Sequence, residues 1–127
     1  MKKLTELESK IIKIIWKLDS LATVNDILTS WEEEKKPLYT TVLKTLQIIE
    51  QKKLIGHEKK GRAYAYFPLV SQKELSINQI RSLVSTFFGN NKVAMASTLI
   101  NYEKLDRQEI DELKALIDRK EKELYNE

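Results

Sequence analysis

The sequence predicts a mainly α-helical chain with one small β-hairpin. Apolar residues recur at helical spacing through the first fifty residues, the period then drops to two over "LIGHE" and "RAYAYF", and helical spacing returns for the rest of the chain. Three helices, a hairpin and three further helices are therefore expected.

The first helix opens at "TELE", where Thr5 caps and Glu8, three residues on, completes a capping box. Leu7, Ile11, Ile15 and Leu18 form one apolar stripe, which Ile12 and Trp16 widen. Thr23 caps a second helix with Val24, Ile27, Leu28 and Trp31 on one face, and "EEEKKP" ends it because Pro37 blocks continuation. A third helix runs from about Tyr39 to Lys53. Its buried face is Val42, Leu43, Leu46 and Ile49; its opposite face is Thr40, Thr41, Lys44, Gln47, Ile48 and Gln51. "LIGHE" and "RAYAYF" are extended runs joined through "KKG", and Pro68, which cannot donate to a ladder, closes the second. On that strand Tyr64 and Tyr66 share a face with Arg62, while Ala63, Ala65 and Phe67 take the other. The tyrosines read as sheet packing with their hydroxyls at the solvent edge, in preference to a base-stacking platform.

The second half is helical throughout. "SQKE" opens a helix carrying Leu75, Ile80, Leu83, Val84, Phe87 and Phe88, and "GNN" breaks it. A short helix over residues 92–101 carries Val93, Ala96, Leu99 and Ile100. Asp106 and Glu109 then cap a last helix with Ile110, Leu113, Ile117 and Leu124 on one side.

Composition bounds the function. In 127 residues, 42% hydrophobic content supplies a core and 32% charged content a solvated surface, which excludes wholesale disorder. No apolar run approaches the roughly 20 residues that cross a bilayer, and "MKKLTELESK" lacks the apolar stretch of a secretion signal. The absence of cysteine excludes disulfides, thiolate metal sites and a cysteine nucleophile. A cytoplasmic protein without membrane insertion is expected. The lone His57 has no HxxxH or HExxH partner and reads as an edge or phosphate-contacting residue. Gly56 and Gly61 form no phosphate loop, and the "EEE" run at 32–34 reads as a helix end in solvent. No catalytic residue, metal or cofactor is expected.

The net charge of +3 is small, but it is unevenly placed: Lys44, Lys52, Lys53, Lys59, Lys60 and Arg62 face only Glu50 and Glu58 within one segment. Three short helices followed by a hairpin is the order of a winged helix-turn-helix, whose third helix enters the major groove while the hairpin follows the backbone. Tyr39, Thr40, Thr41, Lys44, Gln47 and Gln51 then lie on the reading helix, where hydroxyls and amides meet base edges. Lys59, Lys60 and Arg62 on the wing neutralise phosphates. Ile48 also falls on that face and has no assigned role.

The division expected is residues 1–70 as the winged domain and 71–127 as a helical dimerisation domain. The last helices, with Phe87, Phe88, Leu99, Ile100, Leu113 and Ile117, carry too little apolar material for a core of their own. Two copies interleaved supply it and present two heads to a palindromic site; the alternative is that these helices fold back on their own head. The rival to DNA binding is a winged module turned to protein–protein contact, an interaction adaptor, in which Thr40, Thr41, Lys44 and Arg62 are replaceable.

"ELESKIIKIIW", "LYTTVLKTLQ" and "GRAYAYFPLVS", in this order and separation, resemble the BlaI/MecI family of penicillinase and methicillin-resistance repressors, from about Leu4 to Leu124. Glu8, Ile12, Ile15 and Trp16 match the family's first helix, Tyr39 to Val42 its recognition helix, and Gly61, Arg62, Tyr64, Tyr66, Pro68 and Leu69 its wing. The resemblance implies a homodimeric repressor on palindromic operators in double-stranded DNA, relieved when a membrane sensor metalloprotease triggers cleavage. It places the cut at Asn101–Tyr102, where phenylalanine is more usual than tyrosine. The family often has glycine where Lys53 stands, so the turn into the wing is expected to manage without an αL residue. It frequently has arginine near Ile48, and one member has arginine at the position of Leu43. The cysteine-rich metal motif of copper-responsive relatives has no counterpart here.

Overall fold

The computed structural model describes residues 4–126. Lys2 and Lys3, part of the basic start weighed above against a secretion signal, lie outside the described residues. The elements are α1 (Glu6–Leu18), α2 (Val24–Thr29), α3 (Tyr39–Gln51), β1 (Ile55–Lys60), β2 (Ala63–Pro68), α4 (Gln72–Phe88), α5 (Lys92–Tyr102) and α6 (Arg107–Tyr125). They form two compact units, one up to Ser82 and one from Leu83, with α4 running through the point of division.

In the first unit Ile11, Ile12 and Ile15 of α1 pack with Val24 and Ile27 of α2 and with Val42, Leu46 and Ile49 of α3. Leu54 and Ile55 extend this core under the hairpin, and Leu75 of α4 caps it. Burying branched side chains of this size stabilises by about 1.5–3 kcal/mol each, so three short helices hold without length of their own. The expected capping box of α1 forms: Thr5 Oγ1 accepts the Glu8 N–H at 3.2 Å, and Glu8 Oε2 accepts the Thr5 N–H at 3.3 Å. Trp16 Nε1 donates to the Val70 carbonyl at 3.0 Å, tying α1 to the segment that follows the wing.

The second helix is shorter than its apolar pattern. It ends at Thr29, and Trp31 lies beyond it, with its ring still in the core. Carboxylates oppose the negative end of a helix dipole, and the "EEE" run is exposed as expected but lies beyond the helix end at Thr29. Glu33 bonds Lys10 and Glu32 bonds Lys17, both at 2.7 Å, so two of the three acids bridge back to α1.

The third helix buries Thr45 with Val42, Leu46 and Ile49, leaving Leu43 half-buried. Thr45 stays satisfied because its hydroxyl donates to the Thr41 carbonyl at 2.7 Å. The helix stops at Gln51, two residues before the expected end, and the reason corrects the reading of Lys53. Lys53 itself adopts the αL conformation, φ 64°. Its N–H donates to the Glu50 carbonyl at 2.9 Å, and the Leu54 N–H reaches the Ile49 carbonyl at 3.4 Å. These two bonds make a complete Schellman motif, with Ile49 and Leu54 packed together in the core. The αL residue is present; it is a lysine where glycine has no Cβ penalty, a cost of about 1–2 kcal/mol. Lys53→Gly is therefore expected to raise stability by about 0.5–1 kcal/mol, read as a higher urea midpoint at unchanged slope; a lower midpoint contradicts this.

The hairpin turns on two residues rather than on "KKG". Lys60 pairs with Ala63 as the last rung, so Lys59 and Lys60 belong to β1 and Arg62 sits in the Gly61–Arg62 turn. Gly61 has φ +66° while Arg62 stays negative, the requirement of a type II′ turn. At the base of the hairpin Gly56 faces Phe67, and a Cβ on Gly56 would stand 2.8 Å from the ring. The tyrosine pair separates. Tyr64 is 52% exposed, whereas Tyr66 is 2% exposed and part of the core. A bridge the period-two pattern does not reveal causes this: Ala22 pairs antiparallel with Tyr66 through hydrogen bonds of 3.0 and 2.8 Å, a third rung-bearing segment beside the hairpin.

In the second unit α5 and α6 bury no residue. Gly89 and Asn90 take positive φ and end α4, and Asn91 caps α5 through the Ala94 N–H at 2.9 Å. The Asp106–Glu109 capping box of α6 forms as expected, with bonds of 2.8 and 3.1 Å.

Candidate nucleic-acid interface

The exposed side of α3 is continuous. Tyr39, Thr40, Thr41, Lys44, Gln47, Ile48 and Gln51 are all exposed, on the face opposite Val42, Leu46 and Ile49. The core stripe at period 3.6 leaves these positions to solvent, so folding itself decides which side chains are presented. Ile48, at 39% exposure, is an apolar member of this polar face. Leu38 and Tyr39, also exposed, stand at the helix start, which has no side-chain cap.

The wing adds charge. Lys59, Lys60 and Arg62 are exposed at the hairpin tip. Several cations away from this surface are neutralised: Lys10 by Glu6 and Glu33, Lys17 by Glu32, Lys52 by Glu8. Hydrogen bonds donated to those carboxylates hold Lys10 and Lys17 above the ordinary lysine range. Among the described residues no carboxylate pairs with Lys44, Lys59 or Arg62. Lys60 has a weaker relation: Asp26 is held below the usual carboxylate range first by its hydrogen bonds from Thr23, and to a lesser degree by the Lys60 charge. Lys44 on α3 and Lys59 and Arg62 on the wing thus carry positive charge that no carboxylate among the described residues ties down.

Two further contacts fix the C-terminal end of α3, one to the wing and one to α1, and the sequence did not signal them. His57 is turned to α3, its Nδ1 lying 2.5 Å from Glu50 Oε2, and its ring meets Tyr64 edge-on at 5.0 Å. In the free protein this side chain is engaged with Glu50 and Tyr64. Glu8 of α1, 2% exposed, receives the Lys52 ammonium at the end of α3. A residue read only as a cap therefore also anchors the C-terminal end of the reading helix.

No group of three or more His, Cys, Asp or Glu among the described residues is placed to hold a metal ion. No described helix is long and apolar enough to cross a membrane.

Residues 4–119 match the model of a family described as the penicillinase repressor. The chain belongs to the penicillinase repressor family. Two similar proteins cover nearly all of it. One is the penicillinase repressor of Bacillus licheniformis, 23% identical over 121 residues, 93% of this chain and 94% of that protein. The other is the methicillin resistance regulatory protein MecI of Staphylococcus epidermidis, 20% identical over 113 residues, 89% of this chain and 91% of that protein. Among solved structures, the DNA-binding domain of the repressor BlaI matches 58% of this chain and 93% of its own, at 25% identity and a TM-score of 0.49. For a penicillinase repressor family member, the exposed α3 face and the unpaired wing cations are the features of the head that the core leaves unexplained.

Proposed function

We propose that this chain is a transcriptional repressor that binds double-stranded DNA as a homodimer on palindromic operators. The observation that carries this is the joint exposure of Thr40, Thr41, Lys44, Gln47 and Gln51 on α3 with Lys59, Lys60 and Arg62 on the wing, with no carboxylate partner among the described residues for Lys44, Lys59 and Arg62. Family membership supports the same reading. In it α3 lies in the major groove and the wing follows the phosphates.

Dimerisation has its support in the second unit. Leu99, Ile100 and Ile117 of α5 and α6 are largely exposed, as is Phe87 of α4, while Phe88 and Leu113 are half-buried. Apolar faces of this kind are covered when two copies pair. A two-fold dimer then sets two reading helices on two half-sites. The division of labour is a winged head over residues 1–70 and a dimerisation region over 71–127.

Derepression by proteolysis is the third part of the proposal. Asn101 and Tyr102 form the end of α5, Tyr102 is 83% exposed, and the chain leaves the helix in an extended conformation at Glu103. The last turn of a helix opens at low cost, and a cut there separates α6 from the rest of the chain. A membrane sensor metalloprotease is the proposed trigger, and the cytoplasm is the proposed compartment.

The reader and the wing are distinguished by substitution. Arg62→Ala is expected to weaken binding to all duplexes alike and to reduce the salt slope by about 0.9 for each phosphate no longer neutralised. Thr41→Ala is expected to change discrimination between duplexes by about 1–3 kcal/mol with little change in that slope. Fluorescence titrations against several duplexes check both, and the reverse pattern overturns the assignment.

A further inference from the structure

The Glu50–His57 couple lies where the recognition helix meets the wing. Glu50 is in the last turn of α3, its carbonyl closes the Schellman turn at Lys53, and its carboxylate reaches His57 on β1. On the strand opposite, Tyr66 pairs with His57 in register, its ring at 5.9 Å, and Tyr64 stands edge-on to the imidazole at 5.0 Å. The side chains of His57 and Glu50 are 41% and 31% exposed, so solvent protons reach the pair. Gln47 and Gln51 of the reading face lie within one turn of Glu50 on the same helix.

We infer that Glu50 and His57 are positioning residues that set the wing against the recognition helix and tighten DNA binding when the imidazole is protonated; this rests on the DNA-binding reading above. The physical reason is twofold. With the imidazolium formed, both partners carry charge and coulombic attraction adds to the hydrogen bond that the Glu50 carboxylate accepts, so the wing is held more firmly to α3. The pair also changes from a net charge of −1 to zero, which removes an uncompensated carboxylate from the side of the head that faces phosphates.

His57 is the only histidine in the chain, so a substitution there removes imidazole from the protein altogether. The groups around it are Glu50 from α3, Tyr64 and Tyr66 from β2, and Glu58 and Lys59 beside it on β1. Tyr66 is pushed above the usual phenol range, first by burial and then by the charges of Glu50, Tyr39 and Tyr64, so it remains neutral here. The expected sign is tighter binding with the imidazolium formed and weaker binding without it.

The test uses the full chain and a labelled duplex of the DNA upstream of its own gene, with an unrelated duplex of equal length beside it. Wild-type affinity is expected to rise roughly three- to tenfold from about pH 8 to about pH 5.5. His57→Gln keeps an amide donor for Glu50 without a titrating proton, and Glu50→Gln keeps an acceptor without charge. His57→Gln is expected to flatten the pH profile and Glu50→Gln to shrink it to the part that the charge change alone carries, both leaving the salt slope unchanged because no phosphate-contacting cation is altered. A structural role alone would shift the urea midpoint and leave the pH profile in place. Wild-type binding with no pH dependence, or with a dependence that His57→Gln retains, overturns this inference and leaves the DNA-binding reading standing. Absence of duplex binding at every pH overturns both.

Discussion

Aspartate at Leu113 and Ile117 is expected to convert the protein to a monomer and to lower its affinity for a two-half-site duplex by about 100-fold or more. Both residues lie on α6, Ile117 63% exposed and Leu113 half-buried, in a helix that buries no residue within its own chain. In a dimer that face is covered, and burying an unpaired carboxylate costs several kcal/mol, on the order of the whole stability of a modest interface. Separate heads bind independently, and losing the effective concentration that links them costs about 10²–10⁴ in avidity. Sedimentation reads the assembly and fluorescence titration reads the affinity. Ile117→Asp alone guards against an internal effect at Leu113. The head core of Ile11, Ile15, Leu46 and Ile49 contains no α6 residue and should keep its helical signal. A doubly substituted chain that remains dimeric, or that binds as tightly while monomeric, contradicts the proposed assembly.

Glu8→Ala carries the largest expected loss of stability, about 3 kcal/mol. One carboxylate serves two ends of the head. It accepts the Thr5 N–H in the capping box and the Lys52 ammonium, with Oε2 2.9 Å from Nζ. At 2% exposure it has little water to compete with these partners. The cap contributes about 1 kcal/mol, and breaking a buried ion pair accounts for the remainder. Glu8→Gln retains hydrogen-bonding atoms without the charge and is expected to lose about half as much. Urea unfolding measures both, and a loss below about 1 kcal/mol for the alanine variant would show that the pair is not what fixes the end of α3.

Much of the fold was legible because its signals are local. Thr5 with Glu8, and Asp106 with Glu109, are boxes closed within one turn, and the structure forms both. The 3.6 period of α3 separated Val42, Leu46 and Ile49 from Thr40, Thr41, Lys44 and Gln47. What sequence reading missed depends on partners chosen by tertiary folding. Ala22 lies in a short connection without strand pattern, yet it supplies the bridge that draws Tyr66 into the core. Glu50 and His57 are seven residues apart across a helix end and a strand, with no periodicity that joins them. Lys53 was misread because glycine is the usual αL residue, whereas core contacts between Ile49 and Leu54 hold the turn at a lysine. Trp31 continued the apolar pattern of α2 beyond its end because its ring packs in the core although the helix stops at Thr29.

DNA binding by the α3 face and wing is tested most directly by titrating the wild-type protein, over a range of salt, against the duplex upstream of its own gene and an unrelated one. Lys44, Lys59, Lys60 and Arg62 of each head would neutralise about four phosphates, so a dimer should give a log–log salt slope of about −7. Affinity for the first duplex is expected to exceed that for the second by about 10³-fold or more. Equal affinity for both duplexes, or no salt-dependent binding to either, would contradict the assignment of these residues to an operator.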